Sequence, residues 1–301
     1  AKYRLPGAEV KEVLMPVEAV SFNIGLSDSL TMESFYQTNW KETRIDPVGT
    51  FYSQTDLFAD GGNTGYNNFS GTALDTPVPG FGNVIGLYSA LGNNPLLAPA
   101  LKSTGLYANG VTPAYGNTLK VASIGKDYNA RNDGQFGFAF RYIAEALNST
   151  EFGLYLVNYH AKEPTIAADL GGYKGIDMNA LTNMLSTVAG SQAGALANGL
   201  ATADVMGNIQ AHRRYAEDIR MYGFSFNTTL GQASVFGEIA YRPNLPIGIA
   251  ATNDLIGDLA NGAAVAVTGK PVNVGGQMVT LDSEINNAER VEAFNTSLGS
   301  I

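Results

Sequence analysis

The sequence predicts an all-β fold: an antiparallel transmembrane β-barrel with long, partly helical extracellular loops, of which this chain is an internal segment. Apolar and polar residues alternate with a period of two over segments of about ten residues, as in strands with one apolar face. Only 15% of the 301 residues are charged and 45% are hydrophobic, whereas soluble domains carry about 25% charged residues. Short turns also alternate with long connections, as in outer-membrane barrels.

The first predicted hairpin covers about residues 17–41 and turns at the small polar residues 27–29. Because successive side chains of a strand point to opposite faces, the even positions of this hairpin share one face. The residues of that face predicted to contact lipid are Phe22, Ile24, Met32, Tyr36 and Trp40. Glu33 and Lys41 fall on the other face, which is predicted to line the lumen.

The second predicted hairpin covers about residues 135–162, within GQFGFAFRYIAEALNSTEFGLYLVNYHAKEP. Phe138 and Phe140 are predicted to face lipid, and Arg141 the lumen. On the return strand the odd positions are assigned to the apolar face, although two leucines at even positions blur the pattern; these odd residues are Tyr155, Val157 and Tyr159. His160 and Lys162 are therefore predicted to face the lumen.

The third predicted hairpin covers about residues 220–242. Phe224 and Phe226 are predicted to face lipid, while Glu238 and Arg242 are predicted to face the lumen. Mixed charges on a lumen face can set solute selectivity. The alternative, equally open from the sequence, is that these charges pair with one another and fill the interior.

Long connections are predicted over about residues 46–133, 164–218 and 243–285, whereas the turns within hairpins are short. Strands of about ten residues suit the ~9 to 11 residues of a tilted transmembrane strand, and soluble strands are usually shorter. A soluble β-sandwich shows the same alternation and remains an alternative. Irregular loops of this length count against a compact soluble domain.

Helices are predicted inside the long connections, over about residues 87–91, 177–188 and 195–213, because Ala, Leu and Met are frequent there. A small hairpin turning at about residues 269–271 and a further strand after residue 288 complete the predicted elements. Six or seven strands cannot close a membrane barrel, whose bacterial forms begin at eight. We therefore expect further strands before residue 1 and after residue 301.

Composition excludes several classes of function. Cysteine is absent, which rules out disulfides and thiolate metal sites. The net charge of -9 opposes nucleic-acid binding, because no basic stripe is present to neutralise phosphates. No apolar run reaches the ~18 residues that a helical membrane span needs.

Catalytic signals are weak, and we predict no enzyme activity, no cofactor and no metal. The chain has two histidines and lacks the spacings of common hydrolase and phosphate-binding motifs. His160 is the one residue that leaves a barrel lipase or esterase open. The acidic loop with Asp56, Asp60 and Asn63 is a weak candidate for calcium, since it lacks regular acidic spacing.

A resemblance covers most of the strand-forming sequence. The segments PGAEVKEVLMPVE, LTMESFYQTNWKETRIDPVGTFYSQTDLFADGG, EFGLYLVNYHAKEP and YGFSFNTTLGQASVFGEIAYRPNLP resemble an uncharacterised family of large proteobacterial outer-membrane β-barrel proteins. The resemblance implies members larger than this chain and association with two partners. These are a periplasmic protein related to lipoprotein-sorting folds and an inner-membrane transporter of the resistance-nodulation-division type.

The predicted function is that of a channel or transport component for hydrophobic or lipid-like molecules in the Gram-negative outer membrane, with membrane lipid as its surroundings. The transport role follows from the resemblance, whereas the barrel follows from the alternation. One alternative is a surface barrel that binds partners through its loops. The less favoured one is the lipase or esterase at His160.

Overall fold

The computed structural model describes residues 6–7, 9, 14–44, 46–51, 53, 59–248, 265, 267–274, 277–286 and 288–301. Within these residues the chain is mostly β-sheet, largely antiparallel, with few helices. This confirms the predicted β class at that level. The described residues form an open sheet rather than a closed barrel, because the two edge strands do not pair with each other.

The strands are numbered in chain order: β1 (Ala19–Gly25), β2 (Leu30–Gln37), β3 (Thr64–Asn68), β4 (Pro77–Val78), β5 (Gly82–Asn83), β6 (Ala114–Tyr115), β7 (Thr118–Ile124), β8 (Gln135–Ala144), β9 (Thr150–Tyr159), β10 (Thr165–Asp169), β11 (Gln210–Arg214), β12 (Ile219–Leu230), β13 (Ala233–Ile247), β14 (Val272–Val274), β15 (Gln277–Val279), β16 (Ile285–Asn286) and β17 (Glu289–Ser300). The helices are α1 (Val84–Gly92), α2 (Ala98–Lys102), α3 (Met178–Ala189) and α4 (Ala193–Gly207).

Seven strands form one sheet, here called the wall, in the order β1-β2-β8-β9-β12-β13-β17. Every neighbouring pair in it is antiparallel. Short turns at residues 26–29, 145–149 and 231–232 join β1 to β2, β8 to β9 and β12 to β13. Gly231 has a φ of +64°, a left-handed conformation that glycine adopts without steric cost, and this permits the two-residue turn.

The long connections all leave the wall at its other end. Residues 38–134 join β2 to β8, residues 160–218 join β9 to β12, and residues 248–288 join β13 to β17. All three long connections leave from the same end of the strands. At that end Gln37 pairs with Gln135, Tyr159 with Ile219, and Ile247 with Glu289. The long and short connections are thus segregated to opposite ends of the sheet.

The three long connections fold together into a second region, here called the module. Its main sheet has the order β16-β10-β11-β7-β3, with β6 also paired to β7. The first connection supplies β3, β6 and β7, the second supplies β10 and β11, and the third supplies β16. β7 and β11 pair in parallel, whereas the other pairs of this sheet are antiparallel.

The module has its own hydrophobic core, which the helices cover. The side chains that are at most 1% exposed in this core include Ile85, Tyr88, Leu106, Tyr107, Leu119, Leu181, Leu200 and Met206. The Asp177 side chain caps α3 by accepting a hydrogen bond from the Ala180 amide at 2.9 Å, as N-cap residues do. This helix lies one residue from its predicted range.

Two predicted elements of the module differ from the structure. The helix expected to run to residue 213 ends at Gly207, and β11 begins at Gln210, because those residues pair with β10 and β7. The small hairpin pairs β14 with β15, so the residues predicted to form its turn, 269–271, precede both of its strands. Among the described helices, none combines the length and apolarity of a membrane-crossing segment.

Candidate functional site: the polar face of the wall and its junction with the module

One face of the wall carries a small charged cluster. Arg141 lies on β8 between two acidic side chains, with its Nη1 3.2 Å from a Glu33 carboxylate oxygen and its Nε 4.0 Å from Glu151. Asn23 on β1 donates to the same Glu33 oxygen at 3.1 Å. Glu33 and Arg141, both predicted to face the lumen, therefore share the polar face and pair across neighbouring strands.

Aromatic side chains lie close to glycines on this polar face. The Tyr155 hydroxyl is 3.1 Å from Ser225 Oγ, and a Cβ added at Gly153 would stand 2.4 Å from that hydroxyl. The ring of Phe35 covers Gly137 in the same way, 2.3 Å from the position of an added Cβ. Glycine leaves the room that each ring needs against the backbone, so aromatic rings cover part of the polar face.

Two shallow depressions open on the same face. One, of about 530 Å³, is lined by Glu33, Phe35 and Arg141 among others, and the second, of about 520 Å³, by Tyr155 and Glu238 among others. Their lining mixes carboxylates and guanidinium groups with aromatic and small apolar side chains. Such a mixture can contact both parts of an amphipathic molecule.

The remaining predicted lumen residues on β13 also lie on the polar face. Glu238 stands opposite Ser225 and Ser297 in the paired strands. Arg242 donates from Nη1 to Asn295 Oδ1 at 3.0 Å. The position of these residues agrees with the parity that the sequence predicts, because the register between β12, β13 and β17 keeps directly opposed residues on one face.

The opposite face of the wall is apolar and open. One row of paired residues crosses it from Phe138 through Leu156 and Tyr222 to Tyr241 and Phe294. The large side chains that are exposed on this face range from 37% exposure for Phe138 to 78% for Leu298, and they include Val20, Phe22, Ile24, Tyr36, Phe140, Leu154, Phe224 and Ile239. Met32 and Phe226 share this face and are half-buried.

The prediction that Trp40 lies on the exposed apolar face of the wall is wrong. β2 ends at Gln37, so the alternation that assigned Trp40 to the apolar face stops before it. Trp40 is buried against Tyr215 with a ring-centroid distance of 4.7 Å. Its Nε1 donates to the Ala161 carbonyl at 3.0 Å, so the side chain anchors the wall to the module.

The prediction that His160 and Lys162 lie on the polar face of the wall is wrong for a related reason. The register pairs Phe138 with Leu156, so the even positions of β9 belong to the apolar face and the odd positions, such as Tyr155, to the polar face. His160 follows the end of β9 and is fully buried. Lys162 lies over the Trp40 ring at 5.7 Å, and burial lowers its pKa.

The predicted lumen residue Lys41 also lies beyond β2. Its Nζ donates to the Pro16 carbonyl at 2.9 Å, so it fastens the segment that precedes β1. Like Trp40, it belongs to the end of the wall where the module begins. The polar face therefore keeps Glu33, Arg141, Glu238 and Arg242 of the predicted set.

An ion-pair network ties the wall to the module. Arg131 Nη1 contacts Glu217 at 2.7 Å and Nη2 contacts Asp218 at 2.6 Å. The Arg131 guanidinium is the main cause that lowers the pKa of Asp218, and a hydrogen bond from Asn158 adds to it. Asp218 has a φ of +55°, which aspartate tolerates better than most residues.

His160 lies beside this network. Its Nδ1 accepts from the Asp218 amide at 3.1 Å, and its Nε2 lies 2.8 Å from the Asp133 carbonyl oxygen. A neutral ring protonated on Nε2 satisfies both contacts. His160 therefore connects the segments before β8 and β12, with both ring nitrogens engaged by backbone groups.

The module side of the junction carries three consecutive cationic or titratable side chains on β11. His212 Nε2 lies 3.2 Å from Asp169. Arg213 pairs with Asp127 at 2.6 Å and with Asp60 at 2.9 Å, which accounts for Asp60 without a metal. Arg214 pairs with Glu284 at 2.7 Å. Within the described ranges there is no group of three or more potential metal ligands.

A buried carboxylate stands in the module core. Asp204 Oδ1 accepts from the Tyr88 hydroxyl at 2.6 Å and from the Tyr107 amide at 3.2 Å, and Oδ2 accepts from the Tyr173 hydroxyl at 2.6 Å. Burial raises the pKa of Asp204, and these hydrogen bonds oppose the shift. Because Tyr88 and Tyr107 belong to the first long connection and Asp204 to the second, the carboxylate holds the two together.

The chain matches, over residues 1–300, the family described as Protein of unknown function (DUF1302). The chain belongs to this family. No curated protein and no solved structure matches it. Since the family description names no activity, the function of this DUF1302 chain has to be argued from its own geometry.

Sequence reasoning missed the junction and the buried carboxylate. Arg131 of the first connection meets Asp218 of the second, and Arg214 of the second meets Glu284 of the third, so no local spacing in the sequence predicts these contacts. Asp204 did leave a signal, because it is the single charged residue of α4. A lone carboxylate on an apolar helix indicates a buried, hydrogen-bonded acid.

Proposed function

We propose that the wall is a section of a transmembrane β-barrel in the Gram-negative outer membrane, and that the protein is a channel or transport component for hydrophobic or lipid-like molecules. The observation that carries this proposal is the open apolar face of the wall. Large side chains such as Phe22, Leu154 and Phe224 form a continuous exposed surface there. Lipid is the solvent in which such a surface is stable.

The module supports this reading because it does not cover the wall. Its core residues pack among themselves, and the apolar face of the wall stays exposed beside it. A soluble sandwich would bury this face beneath a second layer. Since burying one such side chain is worth about 1.5–3 kcal/mol, a face of this size open to water would be strongly disfavoured.

The polar face supports a solute that is amphipathic or apolar. Charged groups at Glu33 and Arg141 stand beside the aromatic surfaces of Phe35 and Tyr155. A lumen that admits only small hydrophilic solutes would need no aromatic side chains on this face. We therefore place the transported molecule against this mixed surface.

The partners that we propose come from the family resemblance. They are a periplasmic protein related to lipoprotein-sorting folds and an inner-membrane transporter of the resistance-nodulation-division type. Together with an outer-membrane barrel they would form a route for lipid-like compounds across the envelope. Co-purification of the intact protein with both partners from crosslinked membranes is the direct check.

Cysteine scanning tests the membrane proposal, because the chain has no cysteine of its own. Four single variants in β8, Phe138→Cys, Ala139→Cys, Phe140→Cys and Arg141→Cys, would carry a nitroxide label in the intact protein in lipid vesicles. We expect oxygen to relax the labels at 138 and 140 preferentially, and a water-soluble nickel complex those at 139 and 141. Equal accessibility of all four positions to both agents would contradict the proposal.

Transport needs a separate experiment. Vesicles holding the intact protein would be tested for passage of a lipid-like fluorophore and of a small hydrophilic dye. We expect the lipid-like fluorophore to pass only when the protein is present. Phe35→Asp, which places a charge among the aromatic rings of the polar face, should reduce this passage. Ile143→Asp, near the short turn, should leave it unchanged. Passage of the hydrophilic dye alone would point to a general pore instead.

A second candidate, a surface-binding barrel, is favoured by the folded module at one end of the wall. A module with a core of its own can present a fixed surface to a partner. The barrel lipase or esterase has no support at His160, because backbone groups engage both ring nitrogens. Loss of partner binding, with transport intact, on deletion of the module would favour the second candidate.

A further inference from the structure

A cavity of about 460 Å³ lies where the module meets the end of the wall. It is bordered by all three long connections and by strands β13 and β17, and its lining includes Tyr128, Thr165, Arg214, Tyr215, Pro246 and Arg290. Ligand pockets commonly have volumes of about 300–1,000 Å³. The cavity is therefore large enough for a small organic molecule and is distinct from the depressions on the polar face.

Two buried donors belong to residues that line this cavity and are themselves enclosed from solvent. Arg214 Nε and the Tyr215 hydroxyl are buried and have no hydrogen-bond partner within the part of the chain that the structure describes. Arg290 donates from Nη2 to the Glu217 backbone carbonyl at 2.6 Å. Its guanidinium fork has further N–H groups to offer. The remaining N–H groups of Arg290, with the Arg214 guanidinium beside them in the lining, suit a ligand group rich in acceptor oxygens.

The acidic groups near the cavity are already balanced or solvated. The Glu217 carboxylate accepts from the Arg131 amide and guanidinium, both at 2.7 Å. Glu284 is bound by Arg214. Glu289, which also lines the cavity, is exposed, so solvent screens its charge. Because Arg214 shares its charge with Glu284, the cation that an entering anion meets with least opposition is Arg290, which donates to a backbone carbonyl.

The same cavity offers an apolar surface beside its donors. The Tyr128 ring stacks on the Arg214 guanidinium, with 4.5 Å between the guanidinium carbon and the ring centroid. Pro246 and two alanines, Ala216 and Ala288, also line the cavity. Donors next to ring and aliphatic surface fit a molecule with an anionic end and a short apolar body.

We propose that this cavity binds an organic monocarboxylate, with the carboxylate held between Arg214 and Arg290 and the apolar body against Tyr128 and Pro246. Guanidinium groups bind carboxylates through short, charge-assisted hydrogen bonds. The biological role of this binding rests on the proposed function: amphipathic carboxylates would be the class of molecule that the protein transports. Binding itself does not depend on transport.

The single tryptophan of the chain reports on the cavity. Trp40 stacks edge-on against Tyr215, which lines it. The intact protein in lipid nanodiscs would be titrated with hexanoate and with hexanamide, which has the same chain and no charge. We expect a saturable change in Trp40 fluorescence with hexanoate and an affinity at least about tenfold weaker for hexanamide.

Two variants locate the binding, and a third is the matched control. Arg290→Gln breaks only a bond to a backbone carbonyl, so it carries the conclusion, and we expect it to weaken hexanoate binding about tenfold. Arg214→Gln should weaken it similarly, with folding checked by circular dichroism because Glu284 loses its partner. Lys102→Gln, which removes an exposed cation at the end of α2 in the module, should leave the affinity unchanged.

Several results would overturn the inference. They are equal affinities for hexanoate and hexanamide, unchanged hexanoate binding in both Arg290→Gln and Arg214→Gln, or no saturable binding to the folded protein. Failure of the proposed function looks different, because it would appear in the accessibility of labels at residues 138–141. Carboxylate binding without the alternating label pattern would keep the cavity and remove the barrel.

Discussion

The wall and the module use the same large apolar residues in opposite ways. Tyr88, Leu106 and Leu200 are at most 1% exposed in the module, whereas Leu154 and Phe294 of the wall are more than half exposed. The module gains its stability by removing these side chains from water. The wall holds together through backbone hydrogen bonds between long strands and leaves its apolar face exposed. The difference teaches that burial within the chain is required only of the module.

The largest expected effect separates the stability of the two regions. Asp204→Ala would leave the Tyr173 hydroxyl and the Tyr107 amide without their acceptor in the module core, whereas the Tyr88 hydroxyl keeps Thr112 as a partner. Since a buried donor without a partner costs about 1–3 kcal/mol and two donors lose theirs, we expect the module to lose about 2–6 kcal/mol. Hydrogen exchange should show loss of protection in α4 while β12 stays protected.

The control for this change is Asp177→Ala, which removes the N-cap of α3 at the surface of the same module. It should cost only about 1 kcal/mol. Equal losses of protection in β12 and in α4 after Asp204→Ala would show that the two regions unfold as one unit, and the comparison would fail.

The next largest effect probes the solvent of the wall. Phe138→Arg places a charge on the apolar face, whereas Ala139→Arg places one on the polar face of the same strand. A lipid-facing arginine costs about 2–4 kcal/mol near the bilayer midplane, and the lumen-facing one should cost far less. Denaturant titration of the protein folded in vesicles measures both. Similar costs for both variants would mean that the two faces meet the same solvent.

The alternation of the wall was readable from the sequence, but one strand was assigned to the wrong parity. In β9 both sets of positions are apolar, with Leu154 and Leu156 on one side and Tyr155 and Val157 on the other. Only the register with β8 decides between them, because Phe138 stands opposite Leu156. Trp40 was misplaced because alternation does not reveal where a strand ends.

The module was beyond sequence reasoning for a different reason. Its sheet joins β7, β10, β11 and β16, which come from three separate connections. Non-local pairing of this kind leaves no periodic signal in any one segment. Helices with local signals were found, α3 to within one residue of its prediction. The contacts of Arg131 with Glu217 and Asp218 depend on the assembled module, so the junction was missed with it.

The junction should respond to acid in the opposite sense to the module core. The folded-state pKa of Asp218 is lowered by Arg131, so its contribution to stability is present above the unfolded pKa, near 3.9. That contribution is lost as the pH falls through the folded pKa. Burial raises the folded pKa of Asp204, so protonation favours the folded module core as the pH falls.

Asp218→Asn isolates the junction, because asparagine tolerates the positive φ of this position. The variant should be less stable than the unchanged protein at pH 6 and should lose less stability between pH 4 and pH 2. Hydrogen exchange at the starts of β8 and β12, measured at each pH, gives the comparison. An identical acid response in both proteins would remove Asp218 as the group responsible.

The smallest effect concerns the charge pair on the polar face. Glu33 and Arg141 are each about two-fifths exposed and lie 3.2 Å apart, so a double-mutant cycle with Glu33→Gln and Arg141→Gln should give a coupling of only about 0.2–1 kcal/mol. The coupling should shrink in high salt if water fills the space before this face, because ions then screen the pair. A coupling energy well above this range that does not change with salt concentration would mean that water does not reach this face. In that case the wall would have an apolar surface toward lipid and a closed interior behind it, and the transport proposal would lose its path while the barrel proposal kept its support.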